Sequence, residues 1–260
     1  EKGNFAYLMG ADVDFQSVEV QKEIENWGKW YLEQTGGDGF RLDASKHISA
    51  WYFPLWIDAL ERYAQRDLFM VGEYWYNDLG TLQWYVDAVQ GRMSVFDVPL
   101  HYNFHYASKA GGNYDMRTIL DGILLRSEGY PCVFYADYYG AQYEDYGKDG
   151  NKYPITLHSH RWMIDKFLYA RKQFAYGPQY TYFDHFNTIG WTRLGDAEHP
   201  KAMAVIMSDG SEGSKWMEVG KANTQFYDLT EHVKTPITTN EWGWAEFRCH
   251  GGSVSVWVEA

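Results

Sequence analysis

The sequence predicts an α/β fold in two parts: βα units around a parallel sheet up to about residue 177, then a small antiparallel β-domain. Three observations predict it. Short apolar runs alternate with amphipathic helical stretches through the first part. That alternation stops at Gly177-Pro178. Beyond it come runs with alternating faces, separated by Gly, Asp and Asn.

The elements follow in order. Residues 17–34 read as a helix with Ser17 as its cap and Val20, Ile24, Trp27 and Tyr31 as its apolar stripe. Gly36-Gly37 stop it. Gly39–Asp43 reads as a short buried strand. Residues 49–65 read as a helix with Trp51, Leu55, Trp56, Ala59, Leu60 and Tyr63 inward. Leu68–Glu73 is the next strand, 78–90 a helix, and Ser94–Val98 a third strand. A helix is expected near 115–127, a fourth strand at Pro131–Tyr135, and a long helix from His158 to Ala175. The β-domain runs start at Ile189, Ala202, Lys215, Phe226 and Ser253.

Composition narrows the function. With 45% hydrophobic residues in 260, a sizeable core is available and a disordered chain is excluded. A net charge of −12 argues against a nucleic-acid partner, which needs clustered Lys and Arg. No window is apolar enough to span a membrane. The aromatic share is 18%, with 12 Trp and 22 Tyr, an excess that suits the CH-rich faces of sugars. Of the two cysteines, Cys132 sits in an apolar run and reads as a buried thiol. Free thiols favour a cytoplasmic setting over a secreted one. The sequence opens at Glu1 rather than Met, so the lack of a visible signal peptide says nothing about secretion.

Two strand-like runs each end in a carboxylate, Asp43 and Glu73. Parallel strands bring their C-terminal ends to one face, where two carboxyls can divide the work of nucleophile and acid. Arg41, two residues before Asp43, points to the same side and would keep it ionised. Aromatic Tyr74 and Trp75 beside Glu73 suit an acid that holds its proton. The spacing alone equally allows two strand-end acids that cap the following helices. Asp12 and Asp14, two apart in a loop, suit a hard cation such as Ca²⁺, or form a solvated acidic turn. His101, His105 and His158 lack metal spacing and read as structural.

The stretch from Gly39 to His47 (GFRLDASKH) resembles the second signature of the α-amylase family of glycoside hydrolases. Phe69 to Trp75 (FMVGEYW) resembles the third, and Tyr7 to Asp14 the segment before them. Ser94–His101 and Gly251–Trp257 are similar to its bacterial liquefying and cytoplasmic branch. The resemblance implies the C-terminal half of a (β/α)8 TIM barrel over 1–177 and a small antiparallel β-sandwich over 178–260. It implies endo-hydrolysis of α-1,4 bonds in starch or glycogen with retention, with Asp43 as nucleophile and Glu73 as acid/base. Arg41 would orient Asp43, and Lys46, His47 and Trp75 would contact glucose units. It implies Ca²⁺ at Asp12, Asp14 and the His47 carbonyl. A second Ca²⁺ would sit at Gly112, Tyr114, Asn187 and Asp209. The expected partner is an α-glucan, with no nucleic acid and no membrane, and the chain is expected to be a monomer.

The family's Asn-His-Asp motif, whose Asp stabilises the transition state, occurs nowhere in the chain; Gly122-Ile123 stands at its place. The barrel's first strands are also absent, so the chain by itself is expected to be inactive or nearly so. Two alternatives to hydrolysis stay open: a non-catalytic glucan-binding remnant and a transglycosylase of the same family.

Overall fold

Helix α1 (Val18–Thr35) begins where a serine lets it begin: Ser17 Oγ accepts the Val20 N–H at 3.5 Å, satisfying one of the first-turn donors. It ends at Gly36, in the left-handed region at φ 61°. The structure, a computed structural model, describes residues 13–124 and 129–260. Its contacts divide into two units, one of residues 1–103 and 120–127 and the other of 104–119 and 128–260.

In the first unit, β1 (Gly39–Leu42), β2 (Phe69–Gly72) and β3 (Ser94–Val95) form a parallel sheet in that order. α2 (Tyr52–Ala64) and α3 (Leu79–Ala88) follow β1 and β2, as in successive βα units. Asp78 caps α3 by accepting the Thr81 N–H at 2.7 Å. The core gathers Phe40, Trp56, Ile57, Leu60, Met70, Leu82, Tyr85 and Val89.

Both helical faces differ from those read in the sequence. α1 buries Gly28 and Leu32, while Trp27 and Tyr31 are exposed. The cause is Gly28. A Cβ there would stand 2.9 Å from Trp56 Cζ2 and 3.0 Å from both Leu60 methyls, so the missing side chain is where α2 meets α1. Trp56 Nε1 donates to Ile24 O at 3.1 Å across the same contact. On α2, Trp56, Ala59 and Leu60 are inward as expected, but Trp51, Leu55 and Tyr63 are exposed, and Tyr52, Phe53 and Ile57 are buried.

The third strand stops at Val95, because α4 (Val98–Lys109) begins three residues later. Asp97 starts it, with Oδ1 accepting the Leu100 N–H at 3.2 Å. The helix expected near 115–127 is a single 3₁₀ turn, Met116–Thr118, and 125–128 lie outside the described residues. The expected strand at 131–135 does not form. No strand pairs with it among the described residues, Pro131–Tyr135 is exposed, and a short helix, α5 (Tyr135–Tyr139), starts at its end. Cys132 is therefore exposed rather than buried. An exposed antiparallel hairpin that the sequence reading missed follows: β4 (Ala141–Tyr146) and β5 (Lys152–Leu157). α6 (Arg161–Phe174) is the expected long helix.

The β-domain elements are β6 (Gln179–Tyr182), β7 (Thr188–Arg193), β8 (Met203–Ser208), β9 (Gly213–Glu218), β10 (Gln225–Asp228), β11 (Ile237–Thr238), β12 (Trp244–Cys249) and β13 (Ser253–Glu259). Six of them form a sheet in the order β11-β10-β13-β8-β7-β6, antiparallel at every step, while β9 and β12 pair separately. Side chains alternate between two cores. Ala204, Ile206 and Trp257 pack with Met217, Ala245 and Phe247 of the β9–β12 pair. Met203, Val205, Val256 and Val258 pack with Ala170 and Phe174 of α6.

Candidate active site and cation sites

β1 and β2 run parallel with Leu42 opposite Gly72, so the next residue on each strand, Asp43 and Glu73, emerges at the same end. The Glu73 N–H donates to Leu42 O at 2.8 Å, which extends the ladder by one step. Gly72 lets the strand come this close to its surroundings, since a Cβ there would lie 2.8 Å from Met93 sulfur and 3.2 Å from Ser45 Oγ. Arg41 projects to the same side and its guanidinium donates to both carboxylates, Nη1 to Asp43 Oδ1 and Nη2 to Glu73 Oε2. One planar fork thus holds two acidic groups from adjacent strands. The Arg41 hydrogen bond holds the Asp43 carboxyl below the usual carboxylate range. The Asp43 side chain is 75% exposed and that of Glu73 26%, so the two carboxylates meet solvent unequally.

After Asp43 the chain turns at Ala44, in the left-handed region at φ 45°, into a 3₁₀ turn, Ser45–His47. This turn carries half-buried Lys46 and His47 next to the carboxylates in sequence. Trp75 lies exposed beyond Glu73 and meets the His101 ring at 5.1 Å, whereas Tyr74 is buried against Tyr85 at 4.3 Å. His101, read as a structural residue, thus stands beside a candidate sugar platform. Nothing in its spacing pointed there, because α4 was not foreseen.

His47 and Asp14 line one open pocket of about 310 Å³ together with Phe15, Gln16, Ser49 and Trp51. Asp14 Oδ1 accepts the Gln16 N–H at 2.9 Å. Asp12 lies outside the described residues. No group of three or more His, Cys, Asp or Glu assembles among the described residues. One carboxylate falls short of the six to eight oxygens that calcium takes, so the described residues alone do not make this site.

The second predicted cluster converges better. Asn187 Nδ2 donates to Gly112 O at 2.7 Å and to Asp209 Oδ1 at 2.9 Å. Asp209 Oδ2 is buried with no hydrogen-bond partner among the described residues. Gly112 holds φ 88°, a conformation that favours glycine. The amide of an asparagine can be turned by half a rotation without changing its outline. Turned, Asn187 would present Oδ1 beside the Gly112 carbonyl and the Asp209 carboxylate. That oxygen-only set, with an orphaned buried oxygen, fits a hard cation. Tyr114, expected to contribute its backbone carbonyl, packs its side chain against Met116, Ile119 and Ile189, and the neighbouring Phe186 O accepts the Met116 N–H at 2.7 Å.

No family model matches the sequence. Among curated proteins, the chain is similar to the α-amylase of Geobacillus stearothermophilus, 42% identical, with 99% of this chain and 53% of that protein covered. It is also similar to the cytoplasmic α-amylase of Escherichia coli K12, 40% identical, with 99% of this chain and 60% of that protein covered. The chain spans little more than half the length of these relatives. The first alignment runs over 302 positions against 260 residues here, so the relative holds residues with no counterpart in this chain. Among solved structures, the fold matches an Anoxybacillus α-amylase at TM-score 0.69 and 15% identity, covering 96% of this chain and 65% of that one. It matches an α-amylase from Geobacillus thermoleovorans, crystallised with acarbose, at TM-score 0.66 and 13% identity, covering 98% and 67%. The fold class expected from the sequence, a partial (β/α)8 barrel followed by an antiparallel β-domain, is that of these structures.

Proposed function

We propose that the chain is part of an α-amylase-family glycoside hydrolase, whose curated members it resembles at 38–42% identity along nearly its whole length, and that Asp43 and Glu73 hydrolyse internal α-1,4 bonds of starch or glycogen with retention. The observation that carries this reading is the single Arg41 guanidinium shared by two carboxylates at neighbouring strand ends. Asp43, kept ionised by Arg41, attacks the anomeric carbon and forms a glycosyl–enzyme bond. Glu73 gives a proton to the departing glycosidic oxygen, then takes one from the water that releases the sugar. To reach that oxygen Glu73 must leave Arg41, and the guanidinium then serves Asp43 alone. Trp75 offers a flat face to a glucose ring, and Lys46 and His47 offer hydrogen bonds beside it. The catalytic part is residues 1–177 and the β-domain 178–260. The molecule acts as a monomer.

Calcium is the cation we place at Gly112, Asn187 and Asp209. Bound there it would supply positive charge to the Asp209 carboxylate and tie the Gly112 loop to the ends of β7 and β8. At Asp14 and His47 the described oxygens are too few for a site of their own.

One feature favours a second reading. The sequence holds no Asn-His-Asp, so the chain would lack the third carboxylate and bind glucan with little or no turnover. Covalent trapping separates the two readings even where turnover is slow. A 5-fluoro-α-glucosyl fluoride should label Asp43, found by peptide mass spectrometry, and in the full-length parent protein Glu73→Gln should cut starch hydrolysis by about 10³-fold or more while sparing starch binding. A label on another residue, or hydrolysis unchanged in Glu73→Gln, overturns the assignment.

A further inference from the structure

Two histidines of the β-domain, His232 and His250, take no part in the sites above. His232 lies in the loop after β10, and His250 at the turn between β12 and β13. Their rings face each other, 6.3 Å apart between centroids and 21° from parallel. His232 is half-buried and His250 exposed. Trp162 of α6 meets the His232 ring edge-on at 6.1 Å.

The His232 ring is held in one tautomer. Its Nδ1 lies 2.8 Å from Val254 O, and a carbonyl oxygen can only accept, so Nδ1 carries the proton of the neutral ring. Ser253 Oγ and Thr230 Oγ1 stand 3.1 and 3.4 Å from the same nitrogen. Nε2 keeps its lone pair. An imidazole that donates its other N–H to a carbonyl is the arrangement found in metal-bound histidines. Both backbones are fixed as well. Asp228, 4% exposed, accepts the N–H groups of Thr230 at 2.9 Å, Val233 at 3.0 Å and Val256 at 3.2 Å, which sets the loop that carries His232. The turn that carries His250 is pressed against the segment after β8. The Gly252 N–H donates to Gly210 O at 3.0 Å, and a Cβ at Gly251 would lie 2.7 Å from that same oxygen. Glu231 pairs with both Lys166 and Lys234, so the ammonium groups closest in the chain are already neutralised.

Two imidazoles with no third His, Cys, Asp or Glu beside them among the described residues make an open site, whose other positions water would fill. Nitrogen ligands suit dications such as Zn²⁺, Ni²⁺ and Cu²⁺ rather than the hard Ca²⁺ and Mg²⁺. We propose that His232 and His250 bind a transition-metal dication of the Zn²⁺ class, through His232 Nε2 and one ring nitrogen of His250. The bound ion would tie the loop after β10 to the turn that leads into β13. This nitrogen site is separate from the oxygen-lined cluster of Gly112, Asn187 and Asp209, and it does not depend on the glucan reading.

Isothermal titration of the whole chain with ZnCl₂, in a buffer free of chelators, tests it. The wild type should bind a tight equivalent of zinc. His232→Asn and His250→Asn should each weaken that binding about tenfold or more, because a second tethered ligand acts at high effective concentration. His158→Asn should bind zinc like the wild type, and excess CaCl₂ should not displace the metal. Long-range ¹H–¹⁵N spectra of the wild type should show His232 protonated at Nδ1 before zinc is added, and its Nε2 signal moved by zinc. Absence of tight binding in the wild type overturns the site. So do binding unchanged in both Asn variants, displacement by calcium, and a His232 Nε2 signal that zinc leaves in place. Unchanged far-UV circular dichroism of the two variants shows that the readout is a lost ligand and not a lost fold.

Discussion

The βα region and the β-domain solve the same problem in opposite ways. In the β-domain every strand of the six-stranded sheet finds an antiparallel neighbour. Both faces of its middle strands are covered, by β9–β12 on one side and α6 on the other. β13 is accordingly buried at four successive positions, Ser255 to Val258. The three-stranded parallel sheet covers less. β1 and β3 are its edges, and Trp27, Tyr31 and Phe69 of the same unit lie exposed. A sheet closed on both faces gains stability from burial, whereas an open edge leaves its strand-end groups accessible for chemistry. Burial thus concentrates in one region, while the strand-end carboxylates Asp43 and Glu73 lie in the other.

The largest test of that contrast is Trp257→Ala. The indole is fully buried and donates to Arg248 O at 3.0 Å. Its removal should cost about 3–5 kcal/mol by the general cost of aromatic truncation in a core, read as a lower urea midpoint of the β-domain transition with hydrolysis-site labelling unchanged. A loss below ~1 kcal/mol would break the comparison.

A middle-sized effect sharpens it within the βα region. Gly28→Val should destabilise by about 1–3 kcal/mol through overpacking against Trp56 and Leu60. Trp27→Ser, on the exposed side, should stay within ~1 kcal/mol. Thermal melts of the two variants decide which face of α1 carries the packing.

The smallest effect concerns charge. Asp43 has a folded-state pKa depressed by Arg41, so it contributes stability above its unfolded pKa of about 3.9 that is lost as pH falls through the folded value. Arg41→Met should remove that contribution. The stability gap between wild type and variant should be present near neutral pH and close in strong acid. Because Asp43 is 75% exposed, solvent screens most of it. The acid limb of Asp43 labelling should shift to higher pH in the same variant, and an unmoved limb would show that Arg41 does not hold the charge.

Local signals were legible where the local cause was also the structural one. Ser17 and Gly36 bound α1 because a hydroxyl can cap and a glycine can turn. Asp43 and Glu73 were legible because each closes an apolar strand run. β8 and β13 were legible as apolar runs bounded by turn residues. The helix faces were not, because the seam between α1 and α2 is set by a residue with no side chain, Gly28, and periodicity counts only side chains. Pro131–Tyr135 has strand composition, but a strand also needs a neighbour, which composition does not report. The meeting of Gly112, Asn187 and Asp209 could not be read from spacing, since long stretches of chain separate them; only family resemblance pointed there.

The position of β13 between β10 and β8 has a consequence for biosynthesis. β13 is made after both of its neighbours yet lies between them, so the sheet cannot close while Ser253–Glu259 are still inside the ribosome. Until those residues emerge, β8 and β10 remain two open edges at risk of pairing with a neighbouring nascent chain. Slowing translation just before Ser253–Glu259 should therefore raise aggregation of the nascent β-domain more than slowing it in the βα region.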